Sequence, residues 1–583
     1  MNRLAPWLAW VALGCTPLDD PSFHEVADGG LPAEGRPLPP LFFSDERSPP
    51  PISGGTLAIS PDGRRAVVAD PDRERVQIVD LERGRVRESV PVPGLEPGRV
   101  VAGDVRAWVA LRRGGVVELD LGAERAVRHL DPCPGVRGLA LHGDALFVAC
   151  VGGDVLRLDA ATGAIVETVA TLPPDLRDIV RSGDAWWVSR FQSAEIYRLG
   201  DDGSLIVLQP PVDGFAPRVA WRLRALPDGG VALLHQRHRR APLASGDAAY
   251  VADPVGCEEG PLHAALTLFA PDGTVAEEHP IAGLVLPVDF AITDGLVALA
   301  APGQWRSSSL RVLDLQVAFN DGCVHPEPLD GGLQATAVAL GDRVLWYQSR
   351  EPARLVPLDL RGGDARAPID LPGASAFDSG HDLFHVDAGG GIACAGCHPE
   401  GGSDGHTWTF EIGLRHTQPV WGPLAITLPL HWNGEFPDFA ALVDDILVGR
   451  MGGTPPDPAI VARLADWLET VRPPIHGIPL APARVARGAE VFATRCARCH
   501  QGAQRTDNLS HPTGGPAPLQ TPPLRALWPR DRFFHEGCEG SLRAPDDFID
   551  CAREAHGPAQ HDLWDFARDT AARDALIEFL KSL

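Results

Sequence analysis

A multidomain chain, with an all-β propeller in front and two small all-α domains behind it, is the fold class this sequence predicts. Three observations predict it. Between residues 52 and 372 a unit of about forty residues recurs, made of short apolar strands separated by Gly/Asp turns. Beyond residue 372 the apolar period lengthens from two to between three and four, and helical signals replace strands. Within that second part, Cys394-Ala395-Gly396-Cys397-His398 and Cys496-Ala497-Arg498-Cys499-His500 repeat one pattern, with their histidines 102 residues apart.

Residues 1–15 read as an export signal: Arg3, an apolar stretch from Leu4 to Leu13 too short to span a bilayer, then Gly14-Cys15. Leu13-Gly14-Cys15 resembles a bacterial lipobox, which makes Cys15 the acylated residue and the protein a lipoprotein; cleavage without lipid is the alternative. Residues 16–51 are rich in Pro, Asp and Gly without periodicity and read as a flexible tether. No later apolar run is long enough to cross a membrane.

The repeat occupies residues 52–372. Leu57-Ala58-Ile59-Ser60-Pro61-Asp62-Gly63, continuing through Val67-Val68 to Val79-Asp80-Leu81, has the same grammar as Gly138-Leu139-Ala140-Leu141-His142-Gly143-Asp144, continuing to Leu156-Arg157-Leu158-Asp159. Further copies begin near Val100, Ile179, Leu223, Phe290 and Ala337, which makes seven, with six or eight as the alternatives. The fifth copy carries an insertion from Arg239 to Gly260. Four-stranded sheets at this period close radially and so protect their edges. The copies resemble bacterial YVTN-type propeller repeats, through Ser60-Pro61-Asp62-Gly63 and the strand rhythm. His235 and His238, beside Arg239 and Arg240, read as an exposed loop opening the insertion rather than a ligand pair. This region suggests scaffolding or docking.

The two Cys-x-x-Cys-His runs carry the chemistry. Thiols three positions apart reach the two vinyl groups of one porphyrin, and the adjoining imidazole binds the iron from one side. The chain is therefore expected to hold two covalent haems c, through Cys394, Cys397 and His398 and through Cys496, Cys499 and His500. A redox Cys-x-x-Cys or half a zinc site does not require the terminal histidine twice. Residues 373–480 and 481–583 are then two cytochrome c-type haem domains, joined by the Pro-rich segment 472–479. Twelve of the twenty histidines fall after residue 372, and helices are expected over 378–386, 484–494 and 570–583.

Of eleven cysteines, four belong to haems and Cys15 to the lipid, which leaves six. Proximity in sequence suggests the disulfides 133/150, 257/323 and 538/551, one of fifteen arrangements, and export favours them. With 583 residues and 44% apolar content the chain has ample material for several cores. A formal charge of -25 without any Lys/Arg block argues against nucleic acid and disfavours anionic lipid, while attracting a basic small partner.

Asp382-Leu383-Phe384 before the first haem run, then Pro399-Glu400-Gly401, Ser403-Asp404-Gly405-His406-Thr407-Trp408 and His431-Trp432-Asn433-Gly434-Glu435-Phe436 after it, form an ordered set. Thr521-Pro522-Pro523-Leu524-Arg525 and Phe533-Phe534-His535-Glu536-Gly537 follow in the second domain. In that order they resemble the di-haem cytochrome c peroxidase family and its MauG-type relatives, over residues 373–583. The resemblance implies one haem reached by peroxide or another oxidant, a second that relays electrons, and Trp432 between them. It also implies a small electron-donor protein of cytochrome or cupredoxin type, and a calcium ion near Thr521 and Pro523, where His416 takes the place of the family's Asn.

The sixth ligands depart from that family. The only methionines are Met1 and Met451, so none follows Cys499, and no tyrosine follows Tyr347. His556 falls where the family's distal Met would lie and is expected to ligate the second haem, with His561 in reserve. For the first haem His406, His431 and Met451 compete. Arg450 replaces the acid that helps split peroxide, and Glu435 is the nearest substitute. Two functions follow. The favoured one is a peroxidase-like oxidoreductase, periplasmic or anchored at the bacterial outer membrane; the alternative is a non-enzymatic electron carrier whose propeller docks a partner.

Overall fold

The computed structural model describes residues 48–583 except 245, 253–255, 294, 305–307, 316–321, 330, 331, 333, 342, 343, 360–366, 513–516, 561–565, 567 and 568, and except the side chains of 359 and 553–560. The expected export signal, Cys15, most of the tether and His561 lie outside the described residues.

Seven four-stranded antiparallel sheets form a propeller. Their first strands are Leu57–Ile59, Pro97–Ala102, Val136–His142, Leu176–Ser182, Phe215–Ala225, Asp289–Thr293 and Ala335–Leu340, each inside or beside the start of a sequence copy. These strands neighbour one another round a ring, and the seventh meets the first. Burial follows the pleat and the layer. The second strand Ala145–Cys150 is buried throughout, whereas the outermost strand Arg125–Leu130 alternates between exposed and half-buried residues. The Ser-Pro-Asp-Gly turn works through its polar side chains: Ser60 Oγ donates to Asp62 at 2.6 Å, Arg64 N donates to Asp62 at 3.0 Å, and Gly63 takes a φ of 70°. Disulfides join Cys133 to Cys150, Cys257 to Cys323 and Cys538 to Cys551, the three pairs of sequence neighbours.

Two helical units follow, built alike. The first contains α1 (Ser379–His385), α2 (Cys394–Cys397), α3 (Phe439–Val443), which runs into a π-helical stretch Asp444–Arg450, and α4 (Pro458–Thr470). The second contains α5 (Pro482–Arg495), α6 (Pro545–Gln560) and α7 (Thr570–Lys581). Asp378, Asp457 and Asp569 cap α1, α4 and α7 by accepting from first-turn amides. In each unit the opening and closing helices cross at a glycine. A Cβ at Gly380 would strike the Arg463 carbonyl of α4, and one at Gly488 would strike the Ala575 carbonyl of α7. Among the described residues no helix is long and apolar enough to cross a membrane.

The first unit and the propeller share one core. Phe191, Trp221, Leu234 and Phe290 from the blades pack in the same cluster as Leu383, Phe384, Trp421 and Trp467. At roughly 1.5–3 kcal/mol for each fully buried large apolar side chain, this joint core outweighs any surface contact between the two. Glu400, directly after the first Cys-x-x-Cys-His run, reaches propeller arginines: Arg177 and Arg137 at 2.6 Å each and Arg112 at 3.6 Å. The end of the tether is held as well, because Trp467 Nε1 donates to the Pro49 carbonyl at 2.8 Å and Ile52 N donates to His385 Nε2 at 3.1 Å. The second unit has its own core of Phe492, Leu527, Phe548, Phe566, Leu576 and Phe579.

Candidate functional site

Ala393 ends an extended segment, and the single turn of α2 then sets Cys394 and Cys397 three residues apart on one face. Both are half-buried and unpaired. Burial pushes the Cys394 thiol up to about 11 and raises Cys397 further above its ordinary range. A dithiol redox centre needs the opposite, a thiol lowered toward neutrality. His398 N donates to the Cys394 carbonyl at 2.9 Å, and burial lowers the imidazole to about 4, so it is neutral at physiological pH. Backbone carbonyls of Gly402 and Gln418 face the ring and oppose that shift without reversing it. A neutral imidazole is the form that binds a metal.

The second run begins where α5 ends. Cys496 N donates to Phe492 O at 2.8 Å and His500 N to Cys496 O at 3.0 Å. His500 Nδ1 donates to the Arg505 carbonyl at 2.9 Å, and the Pro522 carbonyl also faces the ring. Cys496 and Cys499 are also unpaired, with burial raising both thiols. Cys499 has a second association, since its sulfur, an Asp507 oxygen and a His511 nitrogen lie within 4.8 Å of one another.

Around the first run the side chains divide into two groups. His406 Nε2 donates to the Arg239 carbonyl at 3.1 Å, and its ring lies 5.2 Å from that of His238 and 4.4 Å from that of Trp408. Asp404, 3.4 Å from His238, is pushed up to about 7 by burial. The expectation that His235 and His238 lie in an exposed loop is corrected here. Both are fully buried on the strand Val231–Arg239, where His235 bonds Thr267 Oγ1 at 2.8 Å. His235 is buried within the fifth blade itself, and His238 because His406 and Trp408 of the first helical unit cover it, a contact between residues far apart in sequence.

The second group holds Glu435, His431, Arg450 and Tyr250. Glu435 accepts from His431 Nδ1, and this bond, outweighing burial, holds its carboxyl below the usual range. At 35% side-chain exposure it is a half-open carboxylate already engaged by His431. Arg450 pairs with Asp445 at 2.7 Å and donates to the Tyr250 hydroxyl at 3.3 Å. Met451 is buried in the core against which Cys394 and Cys397 pack. Trp432 lies at the seam between the helical units: its Nε1 donates to His416 O at 2.9 Å, and Gln520 N from the second unit donates to its carbonyl at 2.8 Å. His556 belongs to α6, but its side chain is outside the described residues.

The seam does not fit calcium. Thr521 O accepts from Thr506 Oγ1 at 2.6 Å, and the place of the family's Asn is held by His416, whose Nδ1 donates to His406 O at 2.9 Å. Calcium takes about six to eight oxygens, and an imidazole already engaged supplies none. Sequence reasoning passed over Tyr250 and the ion pairs of Glu400. The insertion itself was the available signal for Tyr250, since a four-stranded blade has no need of it.

No family model matches the chain, and no curated protein matches it. Among solved structures it is similar to hydrazine synthase of Kuenenia stuttgartiensis, at 13% identity and a TM-score of 0.43, over 55% of this chain and 99% of that one. It is similar to virginiamycin B lyase of Staphylococcus aureus in a catalytically inactive form with quinupristin, at 11% identity and a TM-score of 0.38, over 52% and 94%. The computationally designed Ika8 protein gives 12% identity and a TM-score of 0.37, over 56% and 89%. At these scores the likenesses carry no functional argument, and the propeller stands on its strand topology.

Proposed function

We propose that this chain is a di-haem c-type cytochrome acting as a peroxidase-like oxidoreductase, which accepts electrons from a small redox protein and reduces peroxide or oxidises a partner. One observation carries the reading. Six of the ten described cysteines pair in three disulfides, and the four left as thiols are those of the two Cys-x-x-Cys-His runs. Each thiol pair adjoins a histidine that burial keeps in its neutral, ligating form. The donor set therefore fits a porphyrin attached through two thioethers and one imidazole, twice over.

A bound haem c would supply a one-electron iron couple. Cys394 and Cys397, and Cys496 and Cys499, would hold the two groups; His398 and His500 would ligate them. Met451, His406 and His431 would compete to hold the first group together with His398, and His556 would help His500 hold the second. Trp432, bonded into both helical units, is suited to lie between the two groups. Reducing peroxide to two waters consumes two electrons and two protons; the donor protein supplies the electrons, and Glu435 is a half-exposed carboxylate through which a proton can pass. A charge of -25 favours a basic donor. Three disulfides and thioether chemistry imply an exported protein, periplasmic or lipid-anchored at the outer membrane.

Pyridine haemochrome after acidified-acetone extraction tests the reading: two haem equivalents that stay with the chain are expected, and pigment that leaves with the solvent overturns it. A specific observation favours the electron-carrier alternative, namely that Arg450 stands where an acid is expected while Glu435 is already tied to His431. Two permanently low-spin ferric spectra without peroxide turnover would select that alternative.

A further inference from the structure

The insertion of the fifth blade is fastened to the first helical unit. Leu243 N donates to Thr409 O at 2.9 Å, Ala248 N to Gly449 O at 2.7 Å, Tyr250 N to Arg450 O at 2.8 Å and Ala252 N to Gly390 O at 2.7 Å. Val251 fills space that two glycines leave open, since a Cβ at Gly390 or at Gly452 would lie 3.0 Å from its Cγ2. One of these glycines is close before Cys394 in the chain and the other directly follows Met451. Between the fastenings stands the Tyr250 side chain. Its hydroxyl accepts from Arg450 Nη1 at 3.3 Å, and its ring lies 5.9 Å from the Arg450 guanidinium carbon and 6.2 Å from the ring of Phe410. Tyr250 packs on the core that also borders Cys394, Cys397 and Met451.

Fastening alone requires none of this polarity. The backbone bonds and Val251 already hold the insertion, and the half-buried guanidinium, paired with Asp445 at 2.7 Å and with the phenol at 3.3 Å, still has N–H donors to spare for a third group. We infer that Tyr250 and Arg450 form the polar wall of the pocket that receives the haem held by Cys394 and Cys397, so that the propeller insertion furnishes part of that pocket. The inference rests on the di-haem reading. The ligand class that suits this wall is a small anionic oxygen species such as hydroperoxide: the guanidinium favours negative charge, and a phenol whose oxygen accepts from Arg450 keeps its own proton free to donate.

The test uses the full-length chain with its haem counted in every variant, and reads the midpoint potential of each haem by spectroelectrochemistry. Removing a cation beside one iron favours its ferric state. Arg450→Ala is therefore expected to shift the reduction equilibrium of one haem at least tenfold toward ferric, ~59 mV for a one-electron couple, and to leave the other haem unmoved. Tyr250→Phe keeps the ring, the backbone bonds and the fold while removing the hydroxyl, so a purely structural tyrosine would leave both potentials at wild-type values. A shift of about threefold at the same haem is expected instead. Two haems retained with potentials unmoved in both variants, or moved alike at both haems, overturn this inference alone; a wild-type chain without covalent haem overturns the di-haem reading with it.

Discussion

The carboxylate of Glu400 meets the guanidinium of Arg177 at 2.6 Å, across 223 residues and across the junction between propeller and helical unit. Arg137 and Arg112 face the same carboxylate, so three blades converge on one acid from the segment that follows His398. Burial opposes the ionisation of Glu400, yet the three arginines together hold it well below the usual carboxylate range.

Removing that acid leaves buried cations uncompensated, and Glu400→Gln is expected to cost about 3–5 kcal/mol. Chemical denaturation checks this, with Glu167→Gln in the exposed Arg157–Glu167 pair as a control expected to change stability by less than ~1 kcal/mol. Because the folded pKa of Glu400 is depressed, its contribution is complete above about pH 4.5 and is lost as pH falls through the lower folded value. Wild type and Glu400→Gln should therefore converge in stability in acid; a constant gap down to pH 3 would refute the assignment.

His385 predicts the pH dependence of the groove that holds the tether. Its Nδ1 donates to His381 O at 2.7 Å and its Nε2 accepts from Ile52 N at 3.1 Å, so only the neutral ring satisfies both bonds. Burial accordingly lowers it to about 3 from 6.5. Above about pH 6.5 both folded and unfolded states are neutral there. Below it the unfolded chain binds the proton and the folded one does not, so stability is lost as pH falls. His385→Gln should be less stable than wild type at pH 7 and lose that deficit by pH 5, read as melting temperatures; a deficit that widens in acid would contradict this.

Cys397→Ala and Cys499→Ala should each remove most of one haem equivalent while sparing the other. Intact-mass spectra of the two variants provide the measurement. Two full equivalents in both would remove these cysteines from the attachment sites.

A chain lacking residues 52–372 loses Phe191, Trp221 and Phe290 from the core around α1 and α4, but nothing from the cluster around Phe492 and Phe579. Such a deletion is expected to retain about one haem, at Cys496 and Cys499, and to expose the first unit to proteolysis. Two haems in the truncated protein would show that the first unit assembles without the blades.

Local patterns were readable in advance. Strand alternation located the inner strands at Val100 and Ile179, the Asp378 cap announced α1, and proximity along the chain gave the pairing of Cys133 with Cys150. What the sequence withheld were contacts made between distant segments. His238 beside Arg239 carries every mark of a surface loop until Trp408 and His406 cover it, and Glu400 looks solvated until three propeller arginines surround it. Tyr250 was hidden for the same reason, because an insertion's partner is decided by tertiary docking rather than by period.

The bond from Trp467 to Pro49 spans 418 positions, so an early stretch of the chain is pinned by one synthesised much later. Pro49 therefore leaves the ribosome long before its partner exists, while the blades between them can already close on one another. Completion of the first unit must wait until residue 467 has been made, and a nascent product arrested before it would carry the blades with residue 49 still lacking its partner.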